Sequence, residues 1–320
     1  MKTLQAVHQK IPVCTPPFWA PTGHLQTIIA SLLPTPRPAA PTQVFHIKTT
    51  DSDDLLHSSY WAGTLPVVVY LFHGLGGSID SPYMKRFALI AQQLGYHVFL
   101  NNHRGCGEGA GLAQGPYHSG RWDDLSAIIT HGRELFPNAH HVAIGVSLSA
   151  NALLLLAAQE EVVKPDVAIA INAPIDLEKA AIRLKSGLNR IYDQHFLRSL
   201  KKYLVKNNNK NLEDYHLIFD LHDFDNIFTA PRGGFRNRED YYSTCSAKQY
   251  LHLIDIPTII ITCEDDPFVE VSDYKNAKYS KTTLVHIEKS GGHIGYLMGH
   301  GHGYKFWIDE VIEKYLASLV

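Results

Sequence analysis

Short β-branched and aromatic runs recur along the chain, at Val44 to Ile47, Leu56 to Trp61, Val67 to Phe72, His97 to Leu100, His141 to Ile144, Val167 to Ile171, Thr258 to Thr262 and Leu284 to Ile287. Each has the length and composition of a strand. Several, among them VVVYLF, VAIAIN and TIIIT, are near-continuous apolar runs without alternation, the pattern of strands covered on both faces in a parallel sheet. Between them, apolar positions fall at helical spacing over Ser81 to Leu94, Asp123 to Leu135, Leu148 to Glu160 and a terminal Tyr304 to Leu319. This alternation predicts an α/β fold with one mostly parallel sheet of eight strands flanked by helices.

The pattern breaks in two places. Up to about Pro41 the chain is punctuated by proline, with one apolar piece, Leu25 to Leu33, long enough for two helical turns; it reads as an arm packing on the core. From Pro174 to about Ile256 no strand pattern occurs. A helix-like, Lys- and Leu-rich stretch, Leu177 to Val205, leads into the polar run Lys206 to Asn211, and Tyr215 to Ser246 reads as irregular structure with short helices. The expected organisation is an arm (1–42), a core (43–174 and 256–320) and a cap or lid insertion (175–255).

Composition narrows the function. At 320 residues, 45% hydrophobic and 19% charged, the chain has ordinary globular usage and length enough for a large core without disulfide or metal. A net charge of −2 gives no basic field for nucleic acid. Cys14, Cys106, Cys245 and Cys263 are far apart with no C-x-x-C pair, which fits a reducing cytoplasm better than a zinc or disulfide framework. No apolar run approaches a spanning helix, and the N-terminus does not read as a signal peptide.

Gly145-Val146-Ser147-Leu148-Ser149 lies between an apolar strand and a helix-forming run. This is the context of a nucleophile elbow, where a serine on a tight turn is lifted above the sheet and needs small residues two before and two after. A serine becomes nucleophilic when a histidine takes its proton and a carboxylate orients that histidine. Downstream, Asp265 and Asp266 follow the strand PTIIIT, and His293 follows TLVHIEK in Ser-Gly-Gly-His. The order serine, aspartate, histidine is that of an α/β-hydrolase. From Ser147 to Asp266 is 119 residues and from Asp266 to His293 is 27, room for the insertion and then for one helix and one strand. The strand VVVYLF ends in His73-Gly74-Leu75-Gly76-Gly77, whose glycines let backbone approach an oxyanion; Leu75 and Leu148 N–H are the expected donors. This loop lacks the Lys-Ser/Thr ending of a P-loop and the spacing of a dinucleotide fingerprint.

Other polar groups have plainer readings. A metal at His293, His300 and His302 is not expected, because no cysteine or carboxylate completes a tight ligand spacing. His118 and Asp123 form H-x4-D, a spacing seen in some acyltransferases, but a hydrogen-bonded helix cap near Asp123 explains it more simply. Arg104 reads as structurally paired rather than as an anion ligand. Trp19 to Ile28 packs on the sheet by default, with the pocket entrance as the alternative. The basic amphipathic run Leu184 to Val205 suits either a peripheral contact with an anionic membrane or, as part of a cap, the lining of an acyl pocket.

These segments carry a resemblance. Trp19 to Ile28, His73 to Tyr83, Asn102 to Gly107, Tyr117 to Leu125, Gly145 to Asn151, Phe224 to Tyr242, Asp265 to Phe268 and Gly291 to Gly295 together resemble the YheT-like branch of the α/β-hydrolase superfamily. That branch is related to abhydrolase-domain lipases and medium-chain ester synthases and hydrolases. The resemblance implies a carboxylic-ester hydrolase with a helical cap, acting on acyl esters or lipids, with Ser147, Asp266 and His293 as triad. It departs from the family at Ser149 and Ala150, where relatives usually carry two glycines. The motif DDPF alone does not separate Asp265 from Asp266; Asp266 is chosen because it lies three after Cys263, in the usual small strand-end position, leaving Asp265 a loop or hydrogen-bonding residue.

The expectation is thus a cytoplasmic serine carboxylesterase or lipase working through an acyl-enzyme at Ser147, with no cofactor. Its partner is a small-molecule acyl ester or lipid, and the sequence carries no signature of oligomeric state. The alternatives are an acyltransferase to an alcohol acceptor and a non-catalytic ligand-binding protein of the same fold.

Overall fold

Apolar runs without alternation become strands here because helices cover both faces of the sheet they form. In the computed structural model, β1 (Gln43–Lys48), β2 (Leu55–Trp61), β3 (Val67–Phe72), β4 (His97–Asn101), β5 (His140–Val146), β6 (Val167–Ile171), β7 (Thr258–Cys263) and β8 (Thr283–Glu288) form one sheet in the order β1-β2-β4-β3-β5-β6-β7-β8. β2 pairs antiparallel with β1 and β4, and the remaining pairs are parallel. The structure describes residues 1–207, 215–301 and 303–319; most of the polar run 206–211, and His302, lie outside the described residues.

Alternate residues of one strand serve opposite cores. Val67, Val69 and Leu71 pack with Phe87 of α3 (Pro82–Gln93) and with Trp307, Val311 and Tyr315 of α12 (Trp307–Ala317). Val68, Tyr70 and Phe72 pack with Ile128 of α4 (Trp122–Leu135) and Leu153 of α5 (Leu148–Ala157). All of α5 is buried, which accounts for a run apolar on every side. Truncating a side chain such as Leu71 to Ala in this interior costs about 2–5 kcal/mol.

Before the sheet, α1 (Lys2–His8) packs on α12 and β8, and α2 (Gly23–Leu32) lies close to the loop that follows β8. The piece expected to make two turns is a ten-residue helix capped by Thr22. Buried Gln26 anchors it, accepting from the N–H of Leu297 and donating to the carbonyls of Leu297 and Ala20. The terminal helix starts later than its periodicity predicts. Tyr304 to Phe306 belong to β10 (Gly303–Phe306), paired antiparallel with β9 (Leu297–His300), because the N–H of Trp307 is tied to the carbonyl of Tyr296 at 2.8 Å.

Between β6 and β7 the described residues are helical or irregular. The stretch 177–205 is two helices, α6 (Leu177–Leu184) and α7 (Arg190–Lys206), separated where Gly187 takes a φ of 54°. α8 (Leu221–Phe224) continues through a π-helical turn into α9 (Ala230–Arg232), and α10 (Arg238–Cys245) follows; α11 (Val271–Lys275) lies between β7 and β8. Leu184, Leu197, Leu200 and Phe224 of this segment pack with Leu148 and Ala150 at the start of α5. The segment therefore lies over the carboxyl ends of the central strands, where ligands enter open α/β sheets.

Candidate active site

β5 delivers Ser147 on a turn that few residues tolerate. Ser147 has φ 55° and ψ −117°, a backbone state that costs on the order of 1–3 kcal/mol and persists only when its surroundings impose it. Its N–H donates to the carbonyl of Ile171 at 2.8 Å, and α5 begins at the next residue. A Cβ at Gly145 would stand 2.6 Å from the carbonyl oxygen of Ser149, so the turn closes only around glycine.

Ser147, His293 and Asp266 are brought together, each from the loop after a strand. His293 Nε2 is 2.9 Å from Ser147 Oγ, and His293 Nδ1 is 2.8 Å from Asp266 Oδ2. The bond to the carboxylate places the ring proton on Nδ1, leaving Nε2 to accept from the serine hydroxyl. Asp266 Oδ1 accepts from the N–H groups of Phe268 and Val269, and Oδ2 also accepts from Asn172 Nδ2 at 2.7 Å. Asp265 faces elsewhere. Its Oδ1 accepts from the N–H groups of Gly291 and Gly292 and its Oδ2 from the Ser290 hydroxyl, so it holds the loop carrying His293 rather than the ring.

The loop after β3 faces the serine. A Cβ at Gly74 would lie 3.1 Å from Ser147 Cβ, an approach that only glycine makes comfortably. Gly74 N–H donates to the Tyr83 hydroxyl and Gly76 N–H to the Tyr117 hydroxyl, while the N–H groups of Leu75 and Leu148 meet no partner among the described residues. Ser149 does more than stay small. Its hydroxyl donates to the carbonyl of His73 and accepts from His103 Nε2 at 2.6 Å. His73 in turn donates from Nδ1 to the Gly74 carbonyl and accepts at Nε2 from the His103 N–H. Burial keeps both rings neutral, holding His73 well below its usual range and bringing His103 down to about 4. This network joins the first turn of α5 to the start of the glycine loop.

Residues that spacing did not single out individually complete the surroundings. Asn172 follows β6 at φ 49°. Thr27 Oγ1 accepts the N–H of His293 at 2.8 Å, and the Phe268 ring lies 4.1 Å from the His293 ring between centroids. Thr27 sits inside the WAPTGHLQTI segment, and α2 both packs on the histidine loop and edges the pocket.

Two cavities meet at Ser147. The inner one runs beneath α6, α7 and α10, with Leu75, Leu148, Leu184 and Leu200 in its wall; it spans about 730 Å3 including its open mouth. The outer one opens between α2 and α7 and is lined by His293, Ile28, Leu32, Tyr83 and Ile191. His293 borders only the outer cavity.

Three polar groups nearby have structural places of their own. Arg104 is buried against Asp124, Asp54 and Asp51 and is a structural ion-pair centre. His118 does not cap α4: that helix starts at Trp122 with no side-chain cap, and His118 Nδ1 instead accepts from the N–H of Gly120. His300 is exposed on β9, and no three His, Cys, Asp or Glu side chains converge as metal ligands among the described residues. No helix among them is long and apolar enough to cross a membrane.

The sequence matches the family model described as alpha/beta hydrolase fold over residues 67–299. The Escherichia coli (strain K12) protein YheT, whose name marks it as a candidate esterase, is 30% identical over 257 residues, covering 78% of this chain and 76% of that protein. Phospholipase ABHD3 of Mus musculus is 24% identical over 323 residues, 95% of this chain and 78% of that protein. Among solved structures, the Pyrococcus furiosus esterase Pf2001 shares the fold with a TM-score of 0.53 at 16% identity, covering 82% of this chain and 91% of that one.

Proposed function

The chain belongs to the alpha/beta hydrolase fold family, and from that premise we propose that it is a serine-dependent carboxylic-ester hydrolase acting on acyl esters or lipids. The observation that carries this reading is the alignment of His293 between Ser147 Oγ at 2.9 Å and Asp266 Oδ2 at 2.8 Å, within reach for proton transfer. The esterase and phospholipase names of its relatives support the substrate class.

Ser147 Oγ attacks the ester carbonyl as its proton passes to His293 Nε2. Asp266 stays ionised and stabilises the imidazolium without taking its proton. The N–H groups of Leu75 and Leu148 receive the negative oxygen of the tetrahedral intermediate, a contribution on the order of 3 kcal/mol per donor in comparable sites. Collapse breaks the bond to the alkoxide, which takes the proton from His293 Nε2 and leaves as the alcohol. Water then gives a proton to His293 and attacks the acyl-enzyme; the acid departs as the proton returns to Ser147.

Because His293 must protonate the leaving oxygen, and borders only the outer cavity, the alcohol lies in the outer cavity and the acyl chain in the inner one. Residues 175–255 act as the cap over a core of 43–174 and 256–320, with 1–42 as the arm. The four buried free thiols fit a cytoplasmic protein.

The test combines a fluorophosphonate label with initial rates on p-nitrophenyl esters from acetate to palmitate, for the wild type and Ser147→Ala. Loss of both signals in a variant with unchanged circular dichroism is the expected result. A folded Ser147→Ala that still turns over ester would overturn the assignment.

A further inference from the structure

The inner cavity is not apolar throughout. Beyond its leucine and alanine walls it is bordered by His118, Ser119, Asp225, Tyr241 and Tyr242. This polar region sits below the serine. Asn151, one helical turn or about 6 Å after Ser147 along α5, donates to the carbonyl of Ser119, and the Ser119 N–H donates to the Tyr241 hydroxyl. Tyr241 packs edge-on against His118 and beside Tyr242, whose hydroxyl donates to Asp225 Oδ2 at 2.7 Å.

Two groups there have capacity left over. Burial holds His118 well below its usual range, so its ring is neutral. Its Nδ1 accepts from Gly120, so the proton is on Nε2, a donor that has no protein partner among the described residues and keeps some accessible surface. Asp225 is half-buried and borders the inner cavity. Burial raises it to about 6, so it is mostly carboxylate at neutral pH. A carboxylate offers about four lone-pair sites, more than Tyr242 and the nearby Thr229 use.

Resting on the esterase reading above, we propose that the inner cavity selects an acyl chain bearing a hydroxyl several carbons from the carbonyl, which accepts from His118 Nε2 and donates to Asp225. A plain alkyl chain would seal the His118 donor from water without a partner, whereas a hydroxyl, being donor and acceptor at once, satisfies both groups. Sites built to hydrogen-bond a substrate hydroxyl discriminate strongly against the analogue lacking it.

The test compares kcat/KM for p-nitrophenyl ω-hydroxyhexanoate, ω-hydroxyoctanoate and ω-hydroxydecanoate with the unsubstituted esters of equal length. We expect the hydroxylated ester to be preferred by at least about tenfold at one length, and this ratio to fall towards one in His118→Phe and in Asp225→Ala, which removes the acceptor. A wild-type ratio at or below one at every length, with plain esters turned over, would overturn the hydroxyl assignment and leave the esterase reading standing. So would a folded His118→Phe or Asp225→Ala that kept the wild-type ratio. If folded wild type neither turned over any of these esters nor took the fluorophosphonate label, the esterase reading would fall and this proposal with it.

Discussion

Asn172 Nδ2 lies 2.7 Å from Asp266 Oδ2, the same oxygen that receives His293 Nδ1–H at 2.8 Å. The Asn172 amide is itself held, its Oδ1 accepting from the Tyr296 hydroxyl at 2.9 Å. A chain of bonds thus runs from Tyr296 through Asn172 and Asp266 to His293 and Ser147. A neutral amide orients the carboxylate without competing for the imidazole proton, which makes Asn172 a positioning residue for the proposed triad.

Asn172→Ala removes one hydrogen bond to a charged group, worth about 1.5–3 kcal/mol. If that orientation is needed in the transition state, kcat should fall roughly 10- to 100-fold with KM little changed. Steady-state kinetics on one activated ester decide it. A kcat equal to wild type in the folded variant would leave Asn172 a packing residue only.

The adjacent aspartates separate by their partners. Asp266→Asn replaces the acceptor that fixes the His293 tautomer, and kcat should drop on the order of 10⁴-fold, as amidation of a triad carboxylate does elsewhere. Asp265→Asn keeps a carbonyl oxygen for the Gly291 and Gly292 amides, so activity should stay within about tenfold of wild type. Equal losses in the two variants would contradict the division of roles.

Much of this was legible because it is written in runs. All eight strands of the main sheet follow from short apolar segments, and the serine turn from a glycine and serine set between a strand and a helix. The two aspartates are harder: the motif does not separate them, and the bond of Asp266 to His293 together with those of Asp265 to Gly291 and Gly292 shows which one faces the ring. Asn172 had no spacing to mark it, since a lone asparagine after a strand is common chain punctuation. The hairpin of β9 and β10 was hidden because Tyr304 and Phe306 extend the apolar period of the last helix, while the backbone bond from Trp307 to Tyr296 fixes them as strand. The spacing of His118 to Asp123 suggests a helix cap, but spacing tells nothing of the direction a ring takes, and here His118 borders the cavity.

Gly145→Ala should be among the most damaging small substitutions in the chain. Its Cβ would meet the Ser149 carbonyl oxygen at 2.6 Å and the Ala150 Cα at 3.0 Å, both backbone atoms of a fully buried helix. Overpacking of this kind costs at least about 1–3 kcal/mol, and here relief must come from moving the turn that carries Ser147. Urea denaturation should show a lower midpoint, and the folded fraction should lose fluorophosphonate labelling. Wild-type stability and labelling together would mean that the turn has slack the close contacts deny.

The His103 network makes stability depend on acid in a defined window. An unfolded histidine titrates near 6.5, whereas burial brings folded His103 down to about 4. Between those values the unfolded chain binds a proton that the native protein refuses, so unfolding free energy rises with pH there. The contribution is intact above pH 6.5 and lost as pH falls towards 4, to a maximum of ~3 kcal/mol. Asp225, raised to about 6 by burial, acts oppositely, since the native protein holds its proton more tightly and gains stability as pH falls through 6. The wild-type curve therefore mixes both signs, and the difference from His103→Gln isolates one. The glutamine can still donate to Ser149 but does not titrate, so the stability gap between wild type and variant should shift against wild type as pH drops from 6.5 to 4. Chemical denaturation of both proteins at several pH values measures that gap. Parallel curves across the window would mean that His103 is not the group through which acid loosens the turn carrying Ser147.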